Sequence, residues 1–177
     1  ETCLFLDIGE LNTKIGVVEF RDKRMVILEN KHREGIGGYY LQLEIIWHLI
    51  KYVENKYDVK IEQSSSYLFA EISFTIMKNL VLMPNYTIRD EINYNNQTYE
   101  LNLDLSRDIL DTILNDWEYY LNNILTSLAS QYQVDKVFLT GNTSRFPKIR
   151  DFVNNIIKDR LCSILHIEES LGKGCAL

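Results

Sequence analysis

The segment Val137 to Arg150, VFLTGNTSRFPKIR, constrains the fold more than any other stretch of the chain. An apolar run, Val137-Phe138-Leu139, follows polar Asp135 and Lys136 and reads as a short buried strand. Thr140-Gly141-Asn142-Thr143-Ser144 are small or polar and suit a tight turn. Pro147 suits the first turn of a helix, where the missing N–H would have no intrahelical partner. Ile149, Phe152, Val153, Ile156 and Ile157 then recur at helical spacing. The unit is strand, turn, helix. In open α/β sheets, ligands bind beyond the carboxyl ends of strands at such turns, where exposed N–H groups favour anionic or polar ligands. On this segment alone, an ordinary strand-to-helix connection is the simpler explanation.

The remaining chain supplies more units of the same kind. Cys3 to Leu6, Lys14 to Phe20 and Arg24 to Leu28 read as three strands, joined by the turns Asp7-Ile8-Gly9-Glu10-Leu11-Asn12 and Arg21-Asp22-Lys23. Glu34-Gly35-Ile36-Gly37-Gly38 is the single glycine cluster, and it precedes the helical pattern Leu41, Ile45, Ile46, Leu49, Ile50, Val53, running to about Tyr57. Gly37-Gly38 lets backbone approach either a ligand or a neighbouring strand. After the polar break Gln63 to Ser66, with its candidate caps, a second helix carries Tyr67, Phe69, Ile72, Ile76, Leu80 and Val81 and stops at Pro84. Strands near Tyr86 to Ile92 and Thr98 to Leu103 meet at Asn95-Asn96. Ser106 can cap a long helix with Ile109, Leu110, Ile113, Leu114, Trp117, Leu121, Ile124, Leu125 and Leu128 on its apolar side. A last strand, Ser163 to His166, and a last helix, Glu168 to Leu177, close the chain.

The order βββ, α, α, ββ, α, β, α, β, α predicts an α/β fold with a mixed sheet and long packed helices, with no repeat, linker or domain boundary. Three ligand-capable turns, residues 7–12, 35–38 and 140–145, fall at element junctions. We expect them to converge on one crevice.

Composition narrows the function. A net charge of −6 supplies no basic excess to neutralise phosphates, which argues against generic nucleic-acid binding. No apolar run approaches membrane-spanning length, and no signal peptide is visible. Cys3, Cys162 and Cys175 are too few for a disulfide framework and lack metal-ligand spacing. The three histidines are scattered.

Taken together, the pieces resemble the heat-shock-seventy (DnaK-type) chaperones of the actin-like ATPase superfamily. LFLDIGELNTKIGVV resembles that family's second phosphate loop, a pattern like FDLGGGTFDVSI. IGGYYLQ resembles LGGEDFD, VFLTGNTSRFPKI the adenosine segment VLVGGSTRIPKI, and IEESLGKGCAL the closing PDEAVAYGAA. The four stand in the family's order and span nearly the whole chain.

The resemblance implies that residues 1–177 form the second lobe of an actin-like nucleotide-binding domain, a fragment of a larger chain. The first lobe, a substrate-binding domain and a lid would lie elsewhere in that chain. It implies ATP or ADP with Mg2+ as cofactors. It places Asp7 as the metal-side or water-orienting carboxylate, and Gly9, Asn12, Gly37, Gly38, Lys78, Gly141, Asn142, Thr143 and Arg145 around the nucleotide. An arginine such as Arg145 can stack on a purine.

Departures from the pattern matter. The family's Gly-Gly-Thr becomes Glu10-Leu11-Asn12, so side chains obstruct the approach to phosphate and Glu10 adds a negative charge beside it. The family's carboxylate two residues beyond that Thr becomes Lys14, and Asn142 replaces a glycine. The helix that contacts adenosine in the family aligns with the largely apolar Phe74 to Met83, where Lys78 alone could serve. Such a loop is more like that of the large heat-shock relatives, which bind nucleotide and act as nucleotide-exchange factors. Partners implied are an ordinary heat-shock-seventy chaperone or co-chaperone and, through absent domains, unfolded clients, with neither nucleic acid nor membrane. Cytoplasmic location is expected. The sequons at Asn85 and Asn96 keep the endoplasmic reticulum lumen as an alternative. An active chaperone ATPase and a nucleotide-free actin-like scaffold remain as other readings.

Overall fold

The computed structural model describes residues 1–83, 86–105, 107–158 and 160–162. In chain order the elements are β1 (Thr2–Ile8), β2 (Asn12–Arg21), β3 (Arg24–Glu34), α1 (Gly38–Tyr57), α2 (Ala70–Leu82), β4 (Tyr86–Tyr94), β5 (Gln97–Leu105), α3 (Arg107–Gln131), β6 (Lys136–Thr140), α4 (Pro147–Ile157) and β7 (Leu161–Cys162). The predicted closing strand and helix, the Ser106 cap, the Pro84 stop, the Asn85 sequon, Cys175 and the closing motif lie outside the described residues.

The chain divides into two compact units, residues 1–40 with 116–177 and residues 41–115. No boundary is legible in the sequence, because both divisions fall inside continuous helices, α1 and α3.

The first unit is organised by a five-stranded mixed sheet in the order β3-β2-β1-β6-β7. Central β1 pairs antiparallel with β2 and parallel with β6. Its side chains alternate between faces, as the pleat requires. Leu4, Leu6 and Ile8 lie on one face with Ile15, Val17, Val137 and Leu139, all buried. On the opposite face cover thins along β1 from buried Cys3 to half-buried Phe5 and Asp7, and Phe5 stacks on Phe138 with ring centroids 5.1 Å apart. Burial pushes the Cys3 thiol up to about 11 and keeps it protonated. Buried Trp117, Leu121, Leu125 and Leu128 of α3, and Ile149, Val153 and Ile157 of α4, complete this unit's apolar interior.

Asp22 and Lys23 both take positive φ (50° and 62°), the two-residue turn whose twist matches a hairpin. β3 runs to Glu34, beyond the expected end at Leu28. The extension Asn30–Glu34 has no apolar residue to announce it and is held by pairing along β2, from Asn30 opposite Gly16 to Glu34 opposite Asn12. Leu28 is the extra residue of a bulge.

In the second unit, Leu41, Ile45, Ile46, Leu49, Ile50 and Val53 of α1 are all buried, as their spacing predicts. Gln63–Phe69 winds as a 3-10 turn before α2 instead of supplying a side-chain cap. Gln42 ties α1 to the start of α2, bonding the Ala70 carbonyl and the Ser73 hydroxyl at 3.3 and 3.1 Å. β4 and β5 form a hairpin turned by Asn95 and Asn96, again at positive φ (50° and 61°). Tyr52 and Tyr57 anchor it to α1 by donating to the carbonyls of Asn102 and Glu100 at 2.7 and 3.0 Å.

Candidate functional site

The parallel pairing of β1 with β6 brings two carboxyl ends side by side, with Asp7 opposite Thr140. Each strand then turns away, at the end of the sheet where α/β proteins bind ligands. Three turns meet there, all within the first unit. The carbonyl of Gly9 accepts the Gly38 N–H at 3.0 Å and the Thr143 hydroxyl at 2.8 Å. The carbonyl of Glu10 accepts the Tyr39 N–H at 2.8 Å. Thr13, fully buried, donates its hydroxyl to the Ile36 carbonyl at 2.9 Å. Residues 9–13, 36–39 and 141–143 therefore form one stitched wall.

Two glycines make this approach possible. A Cβ on Gly37 would run into the backbone of Glu10, and one on Gly141 into the Ile8 carbonyl and the Asp7 carboxylate. Gly141 also takes φ 86°, ψ 147°, a conformation essentially confined to glycine. Both spaces are filled by the chain's own turns, so these glycines act first in packing turn on turn.

The stitching also changes what the start of α1 offers. Its leading N–H groups, which in a bare helix would attract an anion, bond to protein carbonyls: Gly38 to Gly9, Tyr39 to Glu10 and Tyr40 to Gly37. At the tip of the first turn, the N–H groups of Glu10 and Leu11 have no protein partner among the described residues. Leu11 is 59% exposed, and Glu10 is exposed beside it.

The adenosine-like segment forms a one-turn 3-10 helix, Asn142–Arg145. Thr143 and Ser144 are buried, with the Ser144 hydroxyl donating to the Gly141 carbonyl at 2.6 Å. Asn142 and Arg145 are both exposed, on either side of this buried pair. Nine of the ten expected site residues thus fall in the first unit. Lys78 is on α2 in the second, its ammonium 4.4 Å from the centre of the Phe74 ring.

The model of the Hsp70 protein family matches residues 1–177. The chain belongs to the Hsp70 family. Among Hsp70-family relatives, a heat shock protein homolog of Saccharomyces cerevisiae is 23% identical over 180 residues, covering 97% of this chain and 25% of the relative. A heat shock protein homolog of Lachancea kluyveri is 20% identical over 177 residues, covering 97% and 26%. The 97 kDa heat shock protein of Strongylocentrotus purpuratus is 22% identical over 181 residues, covering 98% and 20%. The chain spans about a quarter or less of the length of these relatives. Its mixed α/β architecture is that of part of an actin-like Hsp70 ATPase domain.

Hsp70-family domains generally bind ATP or ADP with Mg2+. The Hsp70-type wall here fits the nucleotide in part: the backbone amides of Glu10 and Leu11, without a protein partner among the described residues, and the side-chain amide of Asn12 belong to it. It fits the metal poorly. Among the described residues no three His, Cys, Asp or Glu side chains gather to hold an ion, and Lys14 stands directly opposite Asp7 on β2. No helix among the described residues is long and apolar enough to cross a membrane.

Sequence reasoning missed the tie made by Thr13. A signal was present: Thr13 shares the alternation of Ile15 and Val17, which puts a hydroxyl on the buried face, where it requires a partner.

Proposed function

We propose that this chain is the second lobe of the nucleotide-binding domain in a longer, divergent Hsp70-family protein. That protein holds ATP or ADP, hydrolyses it weakly or not at all, and serves as a co-chaperone that promotes nucleotide exchange on an ordinary Hsp70 chaperone. The observation that carries this reading is the meeting of three turns at the Gly9 carbonyl, within a chain matched from end to end by the family model. That meeting supports a nucleotide wall whose chemistry has drifted at Glu10, Leu11 and Lys14.

Weak turnover follows from the drift. Phosphoryl transfer depends on clamping and neutralising phosphate charge, and Glu10 brings a carboxylate to the turn that would face it. Asp7 is left to orient a water. The first lobe, supplied elsewhere in the same chain, would close the crevice, and further domains would meet unfolded clients. The relatives named as heat shock proteins support a role in protein folding under stress. The cytoplasm is the compartment in this reading, with the endoplasmic reticulum lumen as the alternative. A nucleotide-free scaffold is the second reading, favoured by the saturated amides at the start of α1.

The test uses the full-length protein. Added to an ordinary Hsp70 preloaded with fluorescent ADP, it should speed ADP release, while its own phosphate release from ATP stays near the buffer blank. Robust phosphate release that Asp7→Asn abolishes would make it an active ATPase. Neither exchange nor nucleotide binding would leave the scaffold.

A further inference from the structure

Register places four side chains in one row across the sheet, at the carboxyl ends of β1 and β6. Thr140 of β6, Asp7 of β1, Lys14 of β2 and His32 of β3 are successive cross-strand partners and share one face. Asp7 is half-buried at the thinly covered end of that face, and Lys14 and His32 are exposed. Antiparallel partners hold their Cβ atoms about 5 Å apart, yet no ion pair joins Asp7 to Lys14, and neither side chain has another partner among the described residues. A phosphate oxygen can therefore meet the Lys14 ammonium without first breaking a bridge. The family pattern puts a carboxylate at the position of Lys14. Two carboxylates and a polyphosphate in one crevice require a cation between them. With Lys14 in place, the Asp7–Lys14 pair sums to zero charge and carries its own fixed cation.

We propose that Lys14 takes the part of the metal ion, so that ATP and ADP bind this protein without Mg2+. This rests on the reading that nucleotide occupies the wall, and departs from the family on how phosphate charge is neutralised. A lysine is a compact point charge on a flexible stem and suits an oxygen whose exact position varies. Its charge opposes that of Glu10, which gives the turn a reason to tolerate that residue.

The experiment titrates ADP into the full-length protein by calorimetry, in Mg2+ and in excess EDTA, for the parent, Lys14→Met, Lys14→Arg and Lys14→Asp. The parent should bind equally in both buffers, within about threefold. Lys14→Met should lose about tenfold in EDTA, a loss that Lys14→Arg restores. Lys14→Asp should bind only with Mg2+. Lys14 is exposed, and unchanged melting of each variant checks that folding is intact. If the parent binds in Mg2+ and loses more than about tenfold in EDTA, the proposal fails and the nucleotide reading stands. Equal affinities of parent and Lys14→Met in EDTA also defeat it. If nothing binds in either buffer, the nucleotide reading itself fails.

Discussion

Thr143 donates its hydroxyl to the carbonyl of Gly9 at 2.8 Å across 134 residues of sequence. The same carbonyl accepts the Gly38 N–H at 3.0 Å. One backbone oxygen therefore joins the phosphate-like turn, the start of α1 and the adenosine-like turn. A carbonyl has two lone pairs to give, and both are used to hold the wall together.

Thr143→Val keeps the shape and removes the donor. Gly9 retains its bond from Gly38, so the loss is that of one hydrogen bond, about 1 kcal/mol of stability. Urea unfolding should show a lower midpoint with an unchanged slope. A midpoint equal to the parent's would mean that the tie contributes nothing.

Gly141 and Gly35 both take positive φ, 86° and 81°, but only Gly141 is hemmed in. Gly35→Ala should cost about 1 kcal/mol, the conformational penalty alone. Gly141→Ala adds a collision with the Ile8 carbonyl and the Asp7 carboxylate and should cost about 3 kcal/mol or more. Thermal melts of the two variants give the comparison, and equal losses would contradict the packing described.

Much of this was legible in the sequence, for physical reasons. The apolar stripe of α1 was readable because every one of its six spaced positions is buried. The hairpin at Asn95-Asn96 was readable because few residues adopt positive φ twice in succession. The meeting of the three turns was inferable from their places at element ends. The Thr143 tie was not, since a turn threonine has many local partners to choose from. The far half of β3 was hidden because backbone pairing leaves no trace in side-chain type. The division into two units was hidden because helices α1 and α3 run through it without a break in pattern.

His48 on α1 provides a pH test. Burial holds its pKa below the ordinary 6.5. Between the lowered folded value and 6.5, the unfolded chain binds a proton that the folded chain refuses, so stability rises with pH there. The contribution is complete above 6.5 and is lost as pH falls from 6.5 toward the folded value. Urea midpoints at about pH 7.5 and about pH 5.5 should differ more for the parent than for His48→Gln. Equal differences would show that His48 carries no such linkage.

The central claim is that the wall around Gly9 faces a nucleotide, with Arg145 recognising its adenosine side. Calorimetric titration of the full-length protein with adenosine, ADP and ATP tests it most directly, for the parent, Arg145→Ala and Glu10→Gly. Arg145 can cover a purine face, so its loss should weaken all three ligands together, by about tenfold. Removing the Glu10 carboxylate should improve ADP and ATP while leaving adenosine nearly unchanged, because only the phosphates meet its charge. If Arg145→Ala binds all three ligands as the parent does, the adenosine-side assignment is contradicted.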